Sequence, residues 1–150
     1  VSKAKELADS IVHRYLTLMR YQRYMSELIR RTTNISGREL AVLRYLLQQG
    51  PRSVKEISQF LYVREATASP LLEQMERNGY VTRRRSPEDN RKLLVEPTEL
   101  GREVVARAPM GTVTLMRVRL PELPVEELVA IDQALKRLSE IAEVDESVLG

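Results

Sequence analysis

The sequence predicts a mainly α-helical chain that carries one small β-hairpin, an α+β arrangement in a single domain. Three observations point there. Apolar residues recur at spacings of three and four along most of the 150 residues, the period of an amphipathic helix. Two short helical patterns meet at a tight turn near residues 62–64. Behind them, Gly79 to Gly101 reads as strand, polar loop and strand, with a new helix start at Thr98.

The elements follow in order. Ser2 to about Arg31 is one continuous helical pattern, some 45 Å long at about 1.5 Å per residue. At 100° per residue, Leu7, Ile11, Tyr15, Leu18, Tyr21, Met25, Leu28 and Ile29 share an arc of about 140°. Ala8, Val12 and Met19 widen that face to roughly 200°, about twice what the surface helix of a monomer needs. The helix is therefore expected to be covered by its own domain and by another chain. Ser36 with Glu39 forms a capping-box pattern that opens a helix over Gly37 to Gln49, carrying Leu40, Leu43, Leu46 and Leu47 and stopped by Gly50-Pro51. Ser53 with Glu56 opens another, with Val54, Ile57 and Leu61 as its apolar stripe. Tyr62-Val63-Arg64 makes the turn, Glu65 to Asn78 forms the next helix with Leu71, Leu72 and Met75 inward, and Gly79 ends it. After the hairpin, Glu99 to about Arg119 is expected to be helical with a bend at Pro109-Met110-Gly111. Pro121 and Pro124 bound a short connection. Val125 to Ala142 repeats Leu128, Ile131, Leu135, Leu138 and Ile141 as a final helix, before an acidic end expected to fray.

Charge singles out the hairpin. From Arg77 to Lys92 six basic residues stand against two acidic ones, a local charge of +4 in a chain whose net charge is +3, so the remainder sums to −1. A basic hairpin behind a helix has the shape and sign to lie on a phosphate backbone. The plainer reading is a solvated edge, where Lys and Arg discourage strand pairing. Two short helices, a tight turn and a basic hairpin together read as a winged helix-turn-helix.

At this point a family resemblance becomes specific. Leu61 to Gly101 resembles the DNA-binding lobe of the multiple-antibiotic-resistance regulator (MarR) family. Its Asp-x-Arg wing pattern stands here as Asp89-Asn90-Arg91, and its Leu/Val-x-x-Thr-x-x-Gly pattern as Val95 to Gly101, with Pro97 in place of an apolar residue. The segment Thr67-Ala68-Ser69-Pro70-Leu71-Leu72 is similar to the recognition helix of the branch that senses organic peroxides. That branch uses a first-helix cysteine, and this chain has none. Thiol-based sensing is excluded, as are disulfides and thiolate metal sites.

The resemblance implies a homodimer on a pseudo-palindromic operator. Residues 1–34 and 120–150 are then dimerisation helices, 35–101 the reading lobe and 102–119 a connecting helix, all within one domain. Two recognition helices about one helical turn apart match a palindrome. Arg91 at the wing tip can enter a minor groove, with Asp89 orienting it or pairing with Arg83 or Arg85; a simple turn residue after Pro87 is the bland reading of Asp89. Arg64, Thr67 and Ser69 lie where a recognition helix reaches base edges. Ala66 and Ala68 leave room for close approach. Lys55 and Ser53 can hold phosphate at the preceding helix start, and Arg83, Arg84, Arg85 and Lys92 supply the basic wing.

An effector is harder to read. Arg14 falls inside the apolar arc of the first helix and can receive an anionic aromatic molecule beside Tyr15, Leu18 and Tyr21, near Tyr45; a dimer-interface ion pair is the competing reading. His13 is the only histidine and lies on the polar side of its helix, so no metal site and no cofactor is expected. No phosphate-binding glycine loop or paired nucleophile and histidine points to an enzyme. No apolar run approaches the roughly 20 residues that cross a bilayer and no signal peptide is visible, so a cytoplasmic protein is the expectation; the resemblance implies a transcriptional regulator, most simply a repressor. A winged-helix module that binds protein instead of DNA, and a DNA-binding regulator with no small-molecule ligand, are the alternatives.

Overall fold

The computed structural model describes residues 2–149. These form α1 (Lys3–Thr33), α2 (Gly37–Gln49), α3 (Val54–Leu61), α4 (Glu65–Arg77), β1 (Val81–Arg85), β2 (Leu93–Pro97), α5 (Glu99–Arg107), α6 (Thr112–Arg119) and α7 (Val125–Ile141), with 3-10 turns at Leu120–Glu122 and Glu146–Val148. Both predicted capping boxes are present, on Ser36 and Ser53. The Thr98 hydroxyl accepts from the Gly101 N–H at 3.2 Å and donates to the Gly79 carbonyl at 2.6 Å, so it caps α5 and ties it to the end of α4. There, Gly79 N–H donates to the Glu76 carbonyl and Tyr80 N–H to that of Met75, each at 3.0 Å. This double closure needs a left-handed residue, and Gly79 supplies it at φ 83°.

Pro70 stands inside α4 without ending it. The carbonyl it leaves without an intrahelical partner belongs to Ala66, an exposed residue that water can reach.

The two strands pair antiparallel from Val81 opposite Pro97 to Arg85 opposite Leu93. Pro97 thus sits at the end of the ladder, where a missing N–H disturbs pairing least. A feature absent from the sequence reading joins the sheet to α3: Arg52 and Val95 exchange backbone hydrogen bonds of 3.1 and 2.7 Å. Leu43 and Leu46 of α2, Ile57 of α3, Leu72 and Met75 of α4 and Val95 of β2 close the core beneath the wing. Each such side chain contributes about 1.5–3 kcal/mol through burial.

The expected connecting helix at 102–119 is two helices. Pro109 disfavours helical backbone in the residue before it, and Ala108 is extended, with α6 starting only after Gly111. At the two ends, α1 buries only Met25, Ile29 and Thr33, and α7 buries nothing. Leu7, Ile11, Tyr15, Leu18 and Tyr21 of α1 are exposed, as are Val129, Leu135 and Ile141 of α7. The chain's own domain covers only the last third of α1. No helix among the described residues is long and apolar enough to cross a membrane.

Candidate nucleic-acid interface

The wing presents its basic residues unequally. Strand alternation puts Arg83 on the face of the buried Val81. Its Nε lies 3.4 Å from Glu76 Oε1, close enough to pair but not aligned for a hydrogen bond, and both Nε and Nη2 are buried without a hydrogen-bond partner. Arg83 is thus held as a strut between wing and α4, with its side chain only 20% exposed. Arg84 pairs with Glu96 at 3.2 Å across the hairpin, and Arg85 donates to the Asn90 carbonyl at 3.0 Å. At the tip, Asp89 Oδ1 accepts from the Arg91 backbone N–H at 3.0 Å and from its Nε at 3.3 Å. Asp89 therefore orients Arg91 and pairs with neither Arg83 nor Arg85. The Arg91 side chain is 92% exposed.

Glu56 connects the wing to the start of α3. Its Oε1 accepts from the Ser53 backbone N–H at 3.1 Å and from the Ser53 hydroxyl at 3.0 Å, with Lys92 Nζ at 4.0 Å and Arg52 Nε 3.5 Å from Oε2. The Ser53 backbone N–H, helped by its hydroxyl and by Lys92 and Arg52, holds this carboxyl below its ordinary 4.5 against the opposing effect of burial. Ser53 is itself buried and its hydroxyl is engaged by the capping box. It is not free for phosphate; Lys55, exposed on the first turn, is.

Of the two alanines expected to leave room for DNA on α4, Ala66 is exposed and Ala68 is buried. Ala68, Leu72 and Met75 are buried, and at about 100° per residue the opposite side is centred on Ala66, Pro70, Glu73 and Arg77. Ala68 offers no room to DNA. Thr67 and Ser69 are half-buried and flank the outward face. The exposed Arg64 caps α4, and its Nη2 donates to the Ser147 carbonyl at 3.1 Å, so it must leave that contact to reach a base.

The expected effector residues do not assemble. Tyr45 lines a cavity of about 750 Å³ between α1, α2, the end of α3 and α6. Leu18 and Tyr21 line a separate groove of about 340 Å³ against α6, and Arg14 and Tyr15 line neither. The reason is geometric: α1 carries Arg14 and Tyr15 beyond the end of its own core, in the stretch that buries nothing. The larger cavity holds Arg23, Arg30, Arg38, Arg44 and Arg117 against one acid, Glu27. None of these six side chains makes an ion pair among the described residues. Arg44 donates to the Pro109 carbonyl at 3.0 Å and the Thr114 hydroxyl at 3.2 Å. Burial pushes its pKa down from the usual value, which an arginine tolerates without losing its charge. Arg117 lies 4.0 Å from the centre of the Phe60 ring, which stacks on Tyr45 at 4.2 Å. The pattern that marks Arg14, a charge among apolar neighbours on a helix, also marks Arg44, one turn from both Leu40 and Leu47.

Comparison with known proteins agrees with this geometry. Residues 35–93, which run from the start of α2 to the second wing strand, match the model of the MarR family. Over this lobe the chain is similar to the MarR family. Among its relatives, the organic hydroperoxide resistance transcriptional regulator of Bacillus subtilis is 37% identical over 68 residues, 45% of this chain and 46% of that protein. The HTH-type transcriptional regulator YdgJ of the same organism is 31% identical over 106 residues, 71% of this chain and 65% of the relative. The match thus spans about half the length of the first and just under two thirds of the second. Among solved structures, the PcaV transcriptional regulator of Streptomyces coelicolor in complex with its natural ligand shares the fold, with TM-score 0.55 at 20% identity over 87% of this chain and 91% of that one. In this chain the departure at Pro97 and the missing cysteine leave the winged helix intact.

Proposed function

We propose that this chain is a MarR-family, sequence-specific DNA-binding transcriptional regulator, a repressor that works as a homodimer on a pseudo-palindromic operator. The observation that carries the reading is the wing tip, where Asp89 aims an otherwise free Arg91. Arg91 enters a minor groove, Lys55, Arg84, Arg85 and Lys92 position the protein on phosphates, and the start of α4 reads bases with Arg64, Thr67 and Ser69. Residues 1–34 and 120–150 form the dimer, because α1 and α7 leave apolar faces uncovered in the single chain.

The test is a fluorescence-anisotropy titration at several salt concentrations, on a selected operator and on a scrambled duplex. Arg91→Ala weakens operator binding by about 1–3 kcal/mol and lowers the salt slope by about one counterion. Asp89→Ala loses less, and Thr67→Ala relaxes discrimination without changing the slope. A folded Arg91→Ala variant that binds both duplexes like the parent sinks the wing assignment and leaves the hairpin a solvated edge. A parent that lacks steep salt-dependent binding to either duplex instead favours a protein-binding winged helix.

The same protein is released from DNA by a small anionic aromatic molecule held in the arginine-lined cavity. Five guanidiniums without carboxylate partners favour an anion, and the stacked Tyr45 and Phe60 favour a flat ring beside it.

A further inference from the structure

Arg44 and Arg117 do more than line the cavity. Helix α6 packs on α1 and on the 3-10 turn that follows it, and it meets the reading lobe through these two side chains. Arg44 reaches from α2 to the Pro109 carbonyl and the Thr114 hydroxyl. Arg117 reaches the other way, donating from Nη2 to the Phe60 carbonyl at 2.9 Å while its guanidinium covers the Phe60 ring. Phe60 lies one residue before the end of α3, and the left-handed Tyr62 beyond it starts the turn into α4. The two arginines are thus crossed struts between α6 and the lobe.

Every acceptor these struts use is neutral: two carbonyls, a hydroxyl and the ring faces of Phe60 and Tyr62. A carboxylate accepts from a guanidinium about twice as strongly as a neutral oxygen does. We infer that Arg117 is the coupling residue of this protein: an anion in the cavity draws its guanidinium away from Phe60, and the last turn of α3 and the 62–64 turn are released. The position of the recognition helix then depends on whether the cavity is filled. This rests on the reading that the cavity takes an anionic aromatic, and the experiment distinguishes failure of the coupling from failure of that reading.

The probe is 4-hydroxybenzoate, with uncharged 4-hydroxybenzamide as control. Binding is read by calorimetry, and amide hydrogen exchange is read over residues 58–64 in the parent and in Arg117→Met. Circular dichroism checks that the variant is folded, as expected for an exposed side chain. The parent should bind the acid and not the amide, and exchange at 60–64 should then rise by about threefold, the effect of one lost hydrogen bond. Arg117→Met should show that rise with no ligand present, and the acid should add nothing. If the acid binds the parent and exchange there is unchanged, or if Arg117→Met exchanges like the parent, the coupling is wrong and the cavity reading survives. If the acid does not bind, the anion reading fails and takes the coupling with it.

Discussion

Gly101 is the position where one methyl group should cost most. It lies in the first turn of α5, under the wing, and a Cβ built there would stand 2.5 Å from the Tyr80 carbonyl oxygen, 3.0 Å from Leu43 Cδ2 and 3.5 Å from Pro97 Cβ. An ordinary C···O approach is about 3.3 Å, so the oxygen would have to retreat by about 0.8 Å. It cannot do so freely, because the same carbonyl accepts from the Thr98 N–H at 3.0 Å. Leu43 is fully buried and equally fixed. Overpacking of this kind costs about 3 kcal/mol at the upper end of its usual range, and the better helix propensity of alanine offsets about 1 kcal/mol. Gly101→Ala should therefore lose about 2 kcal/mol, or about 4–8 °C in Tm for a chain of this length. Gly37→Ala is the control. It too is in the first turn of a helix, but its nearest neighbour would be Ser26 Oγ at 3.9 Å, so it should hold or raise stability by up to about 1 kcal/mol. Urea and thermal unfolding followed by circular dichroism, at one protein concentration throughout, measure both. A Gly101→Ala variant as stable as Gly37→Ala would refute the close-approach account of the Thr-x-x-Gly pattern.

Three further outcomes are expected. Sedimentation at micromolar concentration should give about twice 17.3 kDa, and Leu135→Glu on the uncovered face of α7 should shift it toward the monomer; a monomeric parent contradicts the two-fold reading. Mild organic hydroperoxide should leave a DNA mobility shift unchanged, because without cysteine only slower methionine oxidation remains; rapid loss reversed by dithiothreitol would contradict this. The Glu56 carboxyl is held below its ordinary 4.5, so its contribution is present above that value and disappears as pH falls through the lowered one; between pH 5 and 3 the urea midpoint should fall less in Glu56→Gln than in the parent, and equal falls would remove Glu56 from the acid response.

What could be read from the sequence was local. Ser36 with Glu39 and Ser53 with Glu56 name helix starts because each box closes within four residues, and Gly79 names a helix end because one residue must turn left-handed. Alternation along β1 also carried information about Arg83: two residues from the inward Val81, it had to point inward, and only its place in a basic run suggested otherwise. The Arg52–Val95 bridge could not be read, since it joins residues 43 apart in sequence through backbone groups that any side chain supplies. The cavity was hidden for the same reason. Arg44, Phe60 and Arg117 come from three helices, and the break at Pro109-Met110-Gly111 is what turns the Pro109 carbonyl toward Arg44. Periodicity placed Arg14 and Tyr15 on a stretch of α1 that neither cavity reaches.

The outward face of α4 constrains how such a protein can choose its site. Ala66 and Pro70 offer only methyl and ring carbons there, Glu73 repels phosphate, and Arg77 lies at the far end of the helix, bonded through Nη2 to Gln74 Oε1 at 2.6 Å. Small apolar groups suit thymine methyls but give few directional contacts. Donors that discriminate bases are left to Arg64, Thr67 and Ser69 at the helix start and flanks, and Arg64 is engaged by the Ser147 carbonyl. On the proposed reading, a larger share of discrimination then falls to the wing, where Arg91 reads groove width and potential more than base identity. The Glu76–Arg83 contact acquires its importance from this division of labour: it ties the wing to the helix, so that a groove-reading arginine and a base-reading helix start meet the duplex at a fixed separation.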